Sequence, residues 1–502
     1  MRPAWLRGPF GLDHGLGLAL FVAALATRLA IWQTSIYGDE GHMFLTARTF
    51  GGRIPNVHYL MSDATYSLAP LFWYRPLTHL PLYPGAAISF DAWRLNHLIL
   101  TSLTPVAAFG ILRTLGVRRW LATGAATVFV VNSIFVAFGV LVFHDALGTV
   151  AFGLALWARV RGHHRLAAAG FLAGAWVEEI VMFGLAYLLA MDLARGTRAG
   201  TSKVWPLRLT GEQTGYAYAL ALSPAMLVLS LLIGGRFPGH GSPAGFLLMV
   251  DRLFVLLWLV PVIVAGLRWP RSREIAGLGL VYPAFYIVYY LTGHSVQIWW
   301  MLLPGFLAII ATATVLQAWM EQTSGNRRRA WGPRTITVLI AVLLAVNVAV
   351  PSTVAWKARP TMPLSGHSEW NLQETYDYQH SRDSLLPDVI ARLNASQLGT
   401  VFLVDVGWFF VYTPFSLIAD TVRHAYTGFP IADIGEWADT VDHSDVTIVY
   451  KSGTPVNKVV LDVYGDCAIF ENAEYVTIDA PNCRGRSAQL KAAYEARNSE
   501  PV

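Results

Sequence analysis

Tyr37-Gly38-Asp39-Glu40-Gly41-His42 sets two adjacent carboxylates directly behind an apolar run, Gly15 to Ile36, that is long enough to cross a bilayer. Taken as the point where a first membrane helix emerges into water, this stretch decides how the remaining chain is read. Arg2 and Arg7 precede the run and it lacks a small-x-small cleavage site, so it reads as a retained first helix and not a removed signal. Composition agrees, with 54% of 502 residues hydrophobic and only 14% charged. A soluble domain carries about a quarter charged residues, so this is a polytopic membrane protein. The net charge of +5 does not mark a nucleic-acid binder, because the basic residues fall in short loops between apolar spans.

Working outward, further spans are Ala92 to Leu115, Trp120 to Val140, Ala146 to Val160, Tyr216 to Ile233, Phe246 to Leu267, Ile275 to Leu291, Ile298 to Met320 and Thr335 to Val354. Basic clusters occur at Arg113-Arg118-Arg119, Arg159-Arg161-Arg165, Arg195-Arg198-Lys203-Arg208, Arg268-Arg271-Arg273 and Arg327-Arg328-Arg329. The alternate short loops near His144 and His294 have no lysine or arginine. By the positive-inside rule the N-terminus and the basic loops are cytoplasmic, in a cell (plasma) membrane. The loop 37–91 and everything after Trp356 then lie outside.

Leu166 to Met191 is also apolar but carries Glu178-Glu179 near its middle, and basic loops flank it on both sides. At roughly 1.5 Å per residue it is too short to cross twice at full thickness. Two short helices or a re-entrant hairpin follow, with the glutamates at the outward tip. Irregular backbone at that depth is tolerated only inside protein or along a wet cavity. The expected fold is mainly α, with about eleven membrane segments, plus a small C-terminal α/β extracytoplasmic domain. The division is residues 1–356 for the membrane part, including the long loop 37–91, and 357–502 for the outer domain.

Within the loop, Met43, Phe44, Ala47 and Phe50 have helical spacing, which suggests a short surface helix over Gly41 to Phe50. In the outer domain Leu385 to Leu393 reads as a helix. Thr400 to Val406, Asp445 to Lys451, Lys458 to Val463 and Tyr475 to Ile478 read as strands. Cys467 and Cys483 would form one disulfide outside the cell and stay reduced inside it.

A carboxylate at a helix exit is often merely solvated, but Asp39-Glu40 has company. His144-Asp145, Glu178-Glu179 and His294 were all brought to the same face by loop charge alone. Ionisable groups at membrane depth are costly and usually functional. Such a cluster suits a general base for a hydroxyl nucleophile, a divalent metal that neutralises a phosphate, or the proton or cation relay of a transporter. Basic partners for a phosphate stand at Arg48, Arg53, Arg75 and Arg94, with His42, His58 and His79. Arg94 reads equally as interfacial snorkelling. Arg28, inside the first span, needs a partner or a wet cavity.

These residues resemble the GT-C superfamily of membrane glycosyltransferases, which includes protein O-mannosyltransferases and the aminoarabinose lipid A transferase. Asp39-Glu40 followed by Thr46-Ala47-Arg48 is similar to the family's acidic motif in the first outer loop. Pro76-Leu77 through Asp91-Ala92-Trp93-Arg94-Leu95 resembles its proline-rich stretch and the arginine that starts the second span. Phe143-His144-Asp145-Ala146-Leu147 resembles the aspartate opening the fourth span. Gly293-His294 with Trp300-Met301-Leu302-Leu303-Pro304 resembles the late outer loop and its proline-containing span.

The resemblance covers roughly residues 15 to 320, and order and sidedness carry it more than any one motif. It implies transfer of a sugar from a polyprenyl-phosphate donor to an acceptor hydroxyl on a glycan, lipid or protein, with inversion. Asp39 would be the base, and Glu40 and Asp145 would position acceptor or metal. Arg94, His294, His144, Arg48, Arg75, Glu178 and Glu179 would contact donor or substrate. Asp39, Asp145, Glu178 and Glu179 are the set for a divalent metal, Mg or Mn. Two positions depart from the pattern. Glu178-Glu179 stands where many relatives have Thr-Lys, and Trp299-Trp300 where many have arginine-tyrosine. Both remove cation from the donor-phosphate region. A transporter or flippase of lipid-linked sugars, and an inactive subunit of the same fold, are the rival readings.

Overall fold

The computed structural model describes residues 11–30, 58–60, 90–178, 180–198, 211–224, 256–291, 302–323, 401–405, 422–427, 446–450, 455–471 and 475–498, with isolated positions at 82, 84, 85, 88, 335 and 338. The chain divides into two units. One comprises Met1–Gln33, Arg94–Val228 and Phe237–Gln373, and the other Thr34–Trp93, Leu229–Arg236 and Glu374–Val502.

The first unit is helical, and its breaks follow local chemistry. Helix α1, Leu12–Leu29, opens with Asp13 and closes with Arg28, the polarity that opposes its dipole. Asp13 also accepts from Arg113 at 3.0 Å and Arg119 at 2.6 Å. The expected span Ala92 to Leu115 is two helices, α2 (Phe90–Thr101) and α3 (Thr104–Thr114). Pro105 occupies the first turn of α3, where a missing N–H costs nothing. The next expected span is likewise split, into α4 (Arg119–Val131) and α5 (Ser133–Val140). Asn132 is the break: its backbone is extended and its Oδ1 accepts from Phe135 N–H, an N-cap bond.

Helix α6, His144–Val160, leads to the pair α7 (His164–Val177) and α8 (Val181–Arg198). This is the two-helix hairpin that the flanking basic loops required, and its chain reversal falls at Glu178. Gly116 and Gly162, at φ 79° and 81°, end α3 and α6 in the left-handed conformation that an L side chain resists. The following N–H groups of Val117 and His163 then reach back to Leu112 O and Ala158 O at 2.9 Å.

Helices α9 (Gly211–Leu222), α10 (Leu256–Gly266), α11 (Pro270–Leu291) and α12 (Leu302–Thr323) are the remaining helices among the described residues of this unit. Helix α12 is buried nearly all round, as a central helix of a bundle is. Among the described residues Leu12–Leu29, Asp91–Thr114 and Leu302–Thr323 are long and apolar enough to cross a membrane. The surface helix read over 41–50, the outer-domain helix read over 385–393 and nearly all of the last expected span lie outside the described residues.

The second unit contains a six-stranded sheet in the order β1-β3-β2-β4-β6-β5. Strands β1 (His58–Leu60), β3 (Val422–Thr427), β2 (Val401–Asp405) and β4 (Val446–Tyr450) run parallel, and β6 (Tyr475–Asp479) and β5 (Ala468–Glu471) are antiparallel additions. Strands were expected at the positions of β2, β4 and β6. The expected strand Lys458 to Val463 is instead part of a helix, α13 (Pro455–Tyr464). Its β-branched valines suggested a strand, but Val456, Val459, Val460, Val463 and Tyr464 repeat at three and four, the period of one helix face. Val459, Val460, Val463 and Tyr464 pack with Val476, Ile478, Cys483 and Leu490, the last from α14 (Ser487–Asn498). Cys467 and Cys483 are joined in a disulfide, with Cα atoms 6.2 Å apart.

Candidate functional site

The site is set by how closely α6 and α7 approach. On α7, Gly170 and Gly174 are four residues apart, the small-xxx-small spacing that lets two membrane helices meet backbone to backbone. A Cβ added at Gly170 would lie 3.0 Å from the Ala155 side chain, and one at Gly174 would lie 3.4 Å from that of Ala151. One more turn along α7 is Glu178, and the matching turn of α6 is Gly148, where an added Cβ would overlap the Glu178 side chain. Pairing 170 with 155, 174 with 151 and 178 with 148 makes the helices antiparallel. It brings Glu178 to the N-terminal end of α6, where His144 and Asp145 begin the helix.

Nε2 of His144 lies 3.2 Å from Glu178 Oε2 and 3.5 Å from Asp145 Oδ2. Exposure is 6% for His144, 3% for Asp145 and 4% for Glu178, so the three are out of solvent together. Asp145 stands in the first turn of α6, where the helix dipole favours a negative charge. Two carboxylates this close and this dry need an imidazolium, a shared proton or a cation among them. One ligating atom from each of the three residues falls within 4.8 Å of the others, a donor set of one nitrogen and two oxygens that fits a divalent ion.

Of the residues singled out in sequence, the structure therefore unites His144, Asp145 and Glu178. Arg94 is at 2% exposure in α2, so interfacial snorkelling does not describe it. Asp39, Glu40, Arg48, Arg75, Glu179 and His294 lie outside the described residues.

Two polar arrangements were not anticipated. The first holds the end of α4 and the short helix α5. Thr27 donates to Val130 O at 3.1 Å, Arg28 Nη2 to Phe135 O at 3.3 Å and Thr101 to Gly139 O at 2.8 Å. His97 Nε2 meets Phe138 O at 3.1 Å and is the donor there, which fixes its tautomer. Phe138 O and Gly139 O are among the last carbonyls of α5, which have no partner within the helix, and these side chains supply one. A Cβ at Gly139 would overlap the Arg28 guanidinium, so that glycine makes the room.

The second arrangement lies at the other end of α6. Arg159 donates to both oxygens of Asp192, at 2.8 and 2.9 Å, and to Glu274 at 3.0 Å, while Arg195 also binds Glu274. The Arg159 guanidinium also lies over the Tyr216 ring, 5.0 Å from its centroid. The sequence counted Arg159 among loop charges. Its carboxylate partners sit in α8 and α11, too far along the chain for spacing to reveal.

No family model matches the chain, and no curated protein matches its sequence. Solved structures do. ArnT from Cupriavidus metallidurans bound to undecaprenyl phosphate is similar at TM-score 0.55 and 14% identity, over 93% of this chain and 99% of that one. The same protein in the apo state gives TM-score 0.55 and 13% identity, over 93% and 98%. The oligosaccharyltransferase of Archaeoglobus fulgidus, in complex with zinc and sulfate, gives 0.44 and 11% over 90% and 68%. At nearly full length on both sides, the chain shares the fold of ArnT.

Proposed function

We propose that this protein is an integral-membrane glycosyltransferase that moves a sugar from a polyprenyl-phosphate donor to an acceptor hydroxyl on the outer face. The observation that carries the reading is the buried His144–Asp145–Glu178 constellation, built into a fold shared end to end with ArnT, a protein solved with undecaprenyl phosphate. In this reading Asp39 takes the proton of the acceptor hydroxyl as its oxygen bonds to the anomeric carbon. The bond from that carbon to the donor phosphate breaks through an oxocarbenium-like state, and one-step attack inverts the centre. Glu40 and Asp145 orient the acceptor. Arg94, His294, Arg48 and Arg75 meet the donor, with Arg94 supplying a planar fork of donors to phosphate.

His144, Asp145 and Glu178 would hold a divalent metal, joined by Asp39 and Glu179 in the fuller set read from the sequence. Its mixed nitrogen and oxygen donors suit Mn better than Mg. Such an ion, when bound, would neutralise charge on the departing phosphate. The chain then works in the plasma membrane with its N-terminus cytoplasmic, among lipid partners, and takes a glycan, lipid or protein acceptor.

The test is transfer by the purified protein in lipid nanodiscs, with a polyprenyl-phosphate sugar as donor. Asp39→Asn and Asp145→Asn are each expected to lower kcat by at least about a hundredfold while the protein stays folded. Full activity in Asp39→Asn removes the base assignment. Donor crossing the bilayer without any transfer makes the protein a flippase, and neither transfer nor crossing leaves an inactive subunit. Unchanged rates after exhaustive chelation dispose of the metal.

A further inference from the structure

Arg28 is a fixed cation at 1% exposure in the last turn of α1. Its Nη1 donates to Ala24 O at 3.0 Å and its Nη2 to Phe135 O, but among the described residues its buried Nε–H has no acceptor. The side chain borders a cavity of about 10 Å³, room for one water, whose wall combines Thr101, Thr104 and Thr149 with the apolar Phe135, Phe138, Gly139, Ala146 and Leu302. Each of these hydroxyls already spends its proton on a backbone carbonyl: Thr101 on Gly139 O at 2.8 Å, Thr104 on Thr101 O at 2.7 Å and Thr149 on Asp145 O at 2.8 Å. What they have left to offer is lone pairs.

The wall is mostly apolar, and the one unmade donor beside it selects the occupant. A halide would gain a single N–H, since the three threonine hydroxyl protons are already engaged by carbonyls. An empty cavity would leave a buried charged donor unmade, which is costly. Water can accept from the Nε–H and still has two protons for threonine oxygens in the wall.

We propose that the cavity holds one ordered water, accepting from Arg28 Nε–H and donating to the Thr149 and Thr101 oxygens, and that through it Arg28 is a positioning residue for Asp145. The relay runs from α1 through the water to Thr149, whose hydroxyl is bonded to the Asp145 carbonyl. It thus ties the first span to the opening turn of α6. The positioning half rests on the site reading above, and the water half does not.

The experiment is a crystal structure of the full chain in lipid, at a resolution that shows waters, with bromide replacing chloride. A single density within about 3 Å of Arg28 Nε, without anomalous signal, is expected. An empty cavity or a bromide peak overturns the proposal. In the transfer assay Thr149→Val is expected to lower kcat about tenfold with KM within about twofold, and Thr149→Ser to restore it. A wild-type kcat in Thr149→Val overturns the positioning role. Full activity of Asp145→Asn would instead mean that the site reading failed, and the density would still decide the water.

Discussion

Gly148 does more for the site than its lack of a side chain suggests. Because a Cβ there would overlap Glu178, Gly148→Ala is expected to push Glu178 away from His144. We expect a destabilisation of about 1–3 kcal/mol, as for other overpacked positions, and a larger proportional loss of transfer, read by unfolding and rate on one preparation. Equal transfer in Gly148→Ala and wild type would mean that the His144–Glu178 contact is dispensable. A second residue-scale expectation concerns Asp466. Arg486 grips it at 2.5 and 2.9 Å, and this hydrogen-bonded pair holds the carboxyl below its ordinary range. Its stabilisation is present above about pH 4, where the unfolded carboxyl is ionised, and is lost as pH falls through the lowered folded value. The thermal midpoints of wild type and Asp466→Asn should therefore differ at neutral pH and converge as pH falls through the lowered folded value. Parallel curves through that range would show that the pair contributes nothing.

At this scale the sequence was legible where chemistry is unusual. A carboxylate inside an apolar stretch advertised Glu178, and positive-inside counting placed it on the same membrane face as His144 and Asp145. What escaped notice was the means. Gly170 and Gly174, four and eight residues before Glu178 on the same helix face, were the available signal for which helix the glutamate would meet. Arg28 was recognised as needing a partner, but its acceptors are backbone carbonyls, which carry no residue identity and leave no mark in a sequence.

Among elements, α6 joins two polar centres, the constellation at its start and the Arg159 cluster near its end. The second centre binds α6 to α8 and α11 through Asp192 and Glu274. Removing Asp192 leaves a guanidinium at 7% side-chain exposure without its bidentate partner and with Glu274 as its one remaining carboxylate, so Asp192→Ala is expected to cost about 3 kcal/mol. Glu274→Gln should cost less, since the bidentate bond from Arg159 to Asp192 survives. Unfolding in detergent, compared across both variants and their double mutant, measures this, and equal losses would refute the ranking. Most helices were readable from apolar length, as was the hairpin, because charge and length left no other solution. Breaks at Asn132 and before Pro105 were not marked, although both residues are ordinary helix-start signals. Helix α13 was misread for a physical reason: valine's β preference is weaker than the three-and-four spacing that buries one face against a sheet.

For the whole molecule, the least expected feature is β1, a three-residue strand from the first long loop that pairs in parallel with β3. His58 is opposite His424 and Leu60 opposite Tyr426. Neither strand was read from the sequence, since three residues give no period and the partner lies hundreds of positions away. Single cysteines in place of Tyr59 and Ala425, in a background with the native pair intact, are expected to show the same sidedness toward a membrane-impermeant maleimide in intact cells and inverted vesicles. Opposite sidedness would break the sheet. A parity rule is hidden in that pairing. If two segments share a hydrogen-bonded ladder, the chain between them must cross the bilayer an even number of times. Hydropathy and loop charge, which know nothing of the sheet, already give an even count between residues 60 and 422 once the Glu178 hairpin enters and leaves on one side. A reading of that hairpin as a single crossing would strand β1 across the membrane from β3.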